Sequence, residues 1–187
     1  MTTQLDAIIV GDGPGGLSAA LFLAKAGLKV VVYGQDKTAM HWALLKNYLG
    51  LPEILGSDFQ RIAREQVQAL GGQVLDGRVE SVSSTSGGFE ATLEGGAKAQ
   101  ARFLVLSEGK SPKLAQQLGL AFEGTAVKVD INGKTSLAGV YAVGRLARPD
   151  RSQAIISAGD GAAAAIDILS TLKGESVQDW DSPPEKK

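Results

Sequence analysis

The sequence contains no cysteine and a single histidine, His41. Without cysteine there is no disulfide framework, no thiolate metal site and no chemistry that passes electrons through a protein dithiol. One histidine leaves a multi-histidine metal centre out of reach, so no metal is expected. Charge of one sign is also missing: Lys plus Arg number 19 and Asp plus Glu 20, for a net charge of -1. That balance gives no electrostatic footprint for a polyanion, and nucleic acid is not an expected partner. No apolar stretch is expected to approach the roughly 18 residues that span a bilayer. Met1 to Val10 carries Asp6 and no positive charge before its short apolar run, unlike a signal peptide. The expectation is a cytoplasmic protein that makes no membrane contact.

What the chain has in excess is glycine, 24 of 187 residues, against a usual share of roughly 7%. Such an excess points to tight turns and close approaches of backbone. Against a soft prior of about 150 residues per domain, the length predicts one compact domain. It is placed at residues 1–174, with a polar, frayed tail at 175–187.

Leu5 to Val10 is a β-branched apolar run ended by Gly11, as expected of a strand buried on both faces. Helical spacing follows over Gly13 to Ala26, with Pro14 suited to the first turn, and Lys29 to Tyr33 reads as a second strand. The three form a parallel strand, helix, strand unit. Gly34 to Gly56 reads as a loop with a helical turn near Trp42 to Leu45; a loop of that length usually has a functional or docking role. Ser57 and Gln60 have capping-box spacing for a helix to Leu70 that buries Phe59, Ile62, Ala63, Val67 and Leu70. Val74, Leu75, Val79, Val82, Phe89, Ala91 and Leu93 then alternate with polar residues, which predicts a small antiparallel meander. Phe103 to Leu106 reads as a central parallel strand, Ser111 and Pro112 open a short helix to Leu118, and Val127 to Val129 and Val140 to Val143 read as strands. A last helix, Gln153 to Leu172, offers Ile155, Ile156, Ala162, Ile166, Leu169 and Leu172 for burial.

The chemistry concentrates at Gly11-Asp12-Gly13-Pro14-Gly15-Gly16, a G-x-G-x-x-G between the first strand and the first helix. Gly11 suits the turn out of the strand, Gly13 a close approach of backbone to a pyrophosphate, and Gly16 the packing of helix on strand. The phosphates would sit on unpaired amides at the positive end of the helix dipole. An acid is expected at the end of the second strand to accept ribose hydroxyls, and Gly34 stands there, followed by Gln35, Asp36 and Lys37. A neutral residue with a nearby lysine also suits an NADP-binding module, in which a cation meets the 2'-phosphate.

Thr135-Ser136-Leu137-Ala138-Gly139-Val140-Tyr141-Ala142-Val143-Gly144, followed by Gln153-Ala154-Ile155-Ile156-Ser157-Ala158-Gly159-Asp160-Gly161, resembles the C-terminal flavin motif of the thioredoxin reductase family. The N-terminal G-x-G-P-x-G, Asn47-Tyr48-Leu49-Gly50 (similar to the family's N-Y-P-G) and Leu106-Ser107-Glu108-Gly109, where the family has A-T-G, fall in the matching order. The resemblance implies an α/β, Rossmann-like FAD-binding domain with a parallel sheet and a small antiparallel β-meander. It implies that Gly11, Gly13, Pro14 and Gly15 cradle the FAD pyrophosphate, with Gly16 counted among the cofactor-binding residues, and that Gly34 and Gln35 lie beside the adenosine ribose. Asn47 would face the cofactor, Val79 would meet the adenine, and Ser107 would pass close to the dinucleotide. Gly144 and Arg145 would touch the ribitol and phosphates, and Gln153, Ala154 and Ile155 would bring backbone groups to the flavin.

The chain departs from that family in four places. Only Lys110 to Lys134 connects the two strands between which the family inserts its NADPH-binding domain. The C-x-x-C of that domain is absent, Arg145 replaces the acid that holds the ribitol, and Gly34 replaces the ribose acid. The implied function is a flavoprotein oxidoreductase that is not a thioredoxin reductase by itself, with a small molecule or another protein as electron donor or acceptor and pairing of two copies as in the family. Two alternatives stand beside it: a non-catalytic descendant of the fold serving binding or regulation, and the NADP-binding module. No catalytic side chain is assigned. His41 reads as an ordinary loop histidine without an assignable carboxylate, Trp42 and Tyr48 as anchors of the long loop, and Asp160 as a solvated acid.

Overall fold

A computed structural model describes residues 5–183. In chain order the elements are β1 (Leu5–Val10), α1 (Pro14–Lys25), β2 (Val30–Gly34), the short strands β3 (Leu44–Leu45) and β4 (Ile54–Leu55), α2 (Gly56–Ala69), β5 (Gln73–Asp76), β6 (Val79–Thr85), β7 (Gly88–Leu93), β8 (Lys98–Leu106), α3 (Lys113–Gln117), β9 (Phe122–Glu123), β10 (Ala126–Val127), β11 (Val140–Ala142) and α4 (Ala154–Lys173). This is the α/β architecture the resemblance implies. The main sheet runs β5-β2-β1-β8-β7-β6, with β11 also paired to β8. β5, β2, β1, β8 and β11 are parallel, while β6, β7 and the first half of β8 form the antiparallel meander. One strand therefore serves both parts: Ala99 and Ala101 of β8 pair with β7, and Leu104 to Leu106 pair with β11.

Alternation along β1 divides the core into two layers. Ala7 and Ile9 face the helices with Leu17, Leu23, Val105 and Ile168, while Ile8 and Val10 face the meander side with Leu104, Leu106, Phe89 and Leu114. Both faces of β1 are buried, which is why its sequence is apolar without a period of two. Lys110 to Lys134 is no loose linker, since Leu114, Ala115, Leu120 and Val127 enter the second layer.

Several expectations are corrected. Ser57 does not cap α2: the helix begins at Gly56 after Leu55, with no side-chain cap, and Gln60 donates instead to the Asp12 carbonyl at 2.5 Å. Of its expected stripe only Val67 is fully buried, Ile62 and Leu70 being exposed, because α2 rests on the sheet edge. Val74 and Leu75 belong to β5, a parallel edge strand beside β2, not to the meander. The helical turn of the long loop lies at Ala39–Trp42 and is 3-10, and the strand near Val127 is confined to Ala126–Val127.

The last helix also turns differently. α4 buries Ser157, Gly161, Ala164, Ala165, Ile168 and Leu169, whereas Ile155 and Ile156 are exposed. The cause is proximity: a Cβ on Gly161 would lie 2.0 Å from the Gly15 carbonyl oxygen, so only small residues fit between α4 and α1. α4 is also, by length and composition, apolar enough to cross a membrane, which corrects the expectation that no such stretch exists. Asp160 and Asp167 interrupt its apolar run, and its small-residue face is a packing face against α1. Beyond Gly174 the chain returns along the surface: Val177 packs on the helix-side core and donates its amide to the Ser170 hydroxyl, and Lys25 pairs with Asp179 and Asp181. The expectations for Met1 to Gln4 and Pro184 to Lys187 lie outside the described residues.

Candidate dinucleotide-binding site

The C-terminal ends of β1, β2, β8 and β11 open on a cleft of about 540 Å³, within the roughly 300–1,000 Å³ range of ligand pockets. Of the residues singled out in the sequence, Gly11, Gly13, Pro14, Gly15, Gly34, Gln35, Val79, Ser107, Gly144, Arg145 and Ala154 line it. Gly16, Asn47, Gln153 and Ile155 do not. Asn47 donates its side-chain amide to Gln153 Oε1 at 3.1 Å, so these two hold each other and fasten the long loop to the start of α4.

Each glycine of the turn has a separate cause. Gly11 is in the left-handed region (φ 100°), and a Cβ there would lie 2.2 Å from the Ser107 carbonyl oxygen. Gly16 would place a Cβ 2.0 Å from the Gly11 carbonyl oxygen, so it lets the helix fold back on its own strand. Above Gly13 nothing lies within 4 Å. That open space meets the first turn of α1, which no side chain caps, so its orphan amides face the cleft. α4 likewise begins without a side-chain cap, at Gln153 and Ala154. Two helix N-termini thus present positive dipole ends toward one cleft.

Side-chain charge has the same sign. Lys37, Arg78, Lys110, Lys113 and Arg145 line the cleft, against Asp12 and Glu108. None of the five cations makes an ion pair among the described residues, and half-buried Arg145 has no hydrogen-bond partner there. Glu108 is committed elsewhere, accepting the amides of Leu114 and Ala115 at 2.8 and 3.1 Å. Burial raises its pKa against those two bonds and the charge of Lys113. Asp160 is not solvated as expected: it takes Arg148 at 2.9 Å and keeps Oδ2 buried without a partner among the described residues. Tyr48 packs on Phe59 with ring centroids 5.2 Å apart and planes tilted by 48°, in the anchoring role expected of it, while Trp42 is 92% exposed.

The sequence reading missed the acidic corner at the end of β2. Asp12, 3% exposed, accepts Arg64 Nη1 and the Asp36 amide on Oδ2, the latter at 3.1 Å. Arg64 also bonds Asp76 at 2.7 Å and lies 4.0 Å from Asp36. Burial opposes the Arg64 charge, but the bond to Asp76 and the charges of Asp12, Asp76 and Asp36 outweigh it and raise its pKa. Asp36 also gives His41 the carboxylate that spacing could not assign, at 3.1 Å. The available signal was the acid inside the glycine motif, read only as the variable position.

The family model of the pyridine nucleotide-disulphide oxidoreductases matches residues 5–51 and 47–162. A thioredoxin reductase of Spironucleus barkhanus is 33% identical over 88 residues, 46% of this chain and 29% of that protein. A ferredoxin--NADP reductase of Lactococcus lactis subsp. lactis is 28% identical over 130 residues, 65% of this chain and 40% of that one. The chain therefore spans less than half the length of these curated relatives. The solved structure of a thioredoxin reductase from Gloeobacter violaceus superposes with a TM-score of 0.87 at 18% identity, covering 97% of this chain and 100% of that one, a likeness of fold. Matched through both glycine motifs, the chain belongs to the pyridine nucleotide-disulphide oxidoreductase family and has the fold of the thioredoxin reductase dinucleotide-binding domain.

Proposed function

We propose that the chain binds one FAD and serves as a flavin-dependent oxidoreductase module whose reducing equivalents come from a small molecule or another protein. The observation that carries this reading is the pair of uncapped helix N-termini, α1 and α4, opening on one cation-lined cleft across the parallel strand ends. An extended molecule with a central diphosphate and two ring systems fits that layout. The open space above Gly13 would receive the diphosphate, with Gly11, Pro14 and Gly15 shaping the turn around it. Val79 and Ser107 would border the adenosine half, and Gly144, Arg145 and Ala154 the flavin half. Bound flavin supplies the redox chemistry, and the chain supplies position and electrostatics.

The chain is not a thioredoxin reductase by itself. It holds no cysteine, and the segment where the family carries its NADPH domain is folded into this domain's own core. Pairing of two copies belongs to the same reading, and gel filtration tests it. A second reading, NADP in the same cleft, draws on Lys37 and Arg78, both without a carboxylate partner there. Calorimetry separates the two: the FAD reading expects saturable heat with FAD and little with NADPH, and the reverse pattern overturns it.

A further inference from the structure

Gly34 occupies the place where nucleotide-binding sheets of this type carry the acid that accepts ribose hydroxyls. A Cβ built there would lie 2.2 Å from Asp12 Cγ and 2.5 Å from Asp12 Cβ and Oδ1. The volume a side chain at 34 would need is therefore already filled by a carboxylate, one that enters from the glycine-rich turn instead of from β2. We infer that Asp12 is the acid of the ribose subsite, with Gly34 keeping the space it occupies clear. This rests on the reading that the cleft binds an adenine dinucleotide.

The bonding pattern leaves Asp12 one free acceptor. Oδ2 is taken by Arg64 and the Asp36 amide, and the backbone carbonyl by Gln60. Oδ1, the atom against Gly34, accepts no hydrogen bond among the described residues, and Asp12 lines the cleft. A buried carboxylate needs a compensating charge and fixed donors. Arg64, from α2, and the Asp36 amide supply them, while Gln60 holds the Asp12 backbone, so the acid is oriented from behind and open in front. Arg64 is itself divided between Asp12 and Asp76, with its donors turned to those carboxylates and not to the cleft. A ribose hydroxyl donates to a carboxylate oxygen, which is the role Asp12 Oδ1 leaves unfilled.

The test removes the hydroxyl from the ligand as well as the charge from the protein. Displacement of FAD from the wild-type protein by ADP, 2'-deoxy-ADP and 3'-deoxy-ADP is measured, then repeated with Asp12→Asn, which preserves side-chain shape. At least one deoxy analogue is expected to bind wild type roughly tenfold or more weakly than ADP, as for the loss of a hydrogen bond to a charged group. In Asp12→Asn that discrimination should fall to within about threefold, with ADP itself weakened. Equal binding of all three nucleotides by wild type, or full discrimination by Asp12→Asn, overturns the assignment of Asp12 and leaves the cleft reading standing. Failure of wild type to bind either FAD or ADP overturns both. Should Asp12→Asn not fold, the wild-type comparison of the three nucleotides still decides.

Discussion

Gly13 and Gly16 stand three residues apart and should fail in opposite ways when a methyl group is added. Gly13 has φ -72° and ψ 176°, an extended conformation that alanine adopts, and its Cβ would meet nothing within 4 Å. Replacing glycine where the backbone is compatible stabilises by about 0.4–1 kcal/mol through the unfolded state. Alanine is a poorer N-cap by a similar amount, so the two effects nearly cancel. For a domain of this size 1 kcal/mol moves Tm by about 2–4 °C, and Gly13→Ala should melt within roughly 2 °C of wild type. The same methyl projects into the space proposed for the diphosphate, so FAD affinity should fall tenfold or more, about 1.4 kcal/mol per factor of ten. Gly16→Ala instead drives a Cβ to 2.0 Å from the Gly11 carbonyl oxygen and 3.1 Å from Ile9 Cγ2. Backbone must move, at an overpacking cost of about 1–3 kcal/mol, which is a Tm loss of roughly 2–12 °C. Scanning calorimetry and flavin fluorescence titration read the two quantities separately. A stable Gly13→Ala with wild-type FAD affinity, or a Gly16→Ala that melts with wild type, would refute this division of roles.

Three further outcomes follow from individual side chains, and one from composition. Arg145→Ala should weaken FAD binding by roughly tenfold, with wild-type affinity eroded by salt, because its free guanidinium lines the cleft; tighter binding by Arg145→Asp than by wild type would contradict this. Tyr141, 2% exposed, donates to Asp167 at 2.6 Å. Tyr141→Phe should therefore cost about 1.5–3 kcal/mol, a Tm loss of roughly 3–12 °C, and an unchanged melt would show that the bond contributes nothing. Glu108 has its folded pKa raised by burial, so its contribution to stability is present below the ordinary carboxylate range and lost as pH rises through the folded value. Melting from pH 4 to 7 should show that decline in wild type and less of it in Glu108→Gln; an equal decline in both would assign it elsewhere. NADPH-driven reduction of an aromatic disulfide reagent by the isolated chain should stay at background, and robust turnover would contradict the assignment drawn from zero cysteines.

Residues that constrain backbone were the legible ones. Gly11 and Gly16 announce close carbonyl contacts, Pro14 a first helical turn, and the apolar run of β1 a strand with two buried faces. What escaped depended on neighbours distant in sequence. α4 hides Gly161, Ala164 and Ala165 and exposes Ile155 and Ile156, because the approach of α1 sets its rotation. Val74 and Leu75 look like meander residues, since alternation reports a half-buried strand without naming its partner. Gln60 has capping-box spacing and serves Asp12 instead. Gly34 read by itself is a lost ribose acid, and only its proximity to Asp12 shows a filled corner.

Reconstitution of the purified chain with excess FAD, followed by desalting and a visible spectrum, tests the central claim most directly. The predicted result is one flavin per chain, with a shifted, structured absorbance band near the flavin maximum and quenched fluorescence that recovers when denaturation releases FAD. A colourless protein after the same treatment, still folded by circular dichroism, would contradict it.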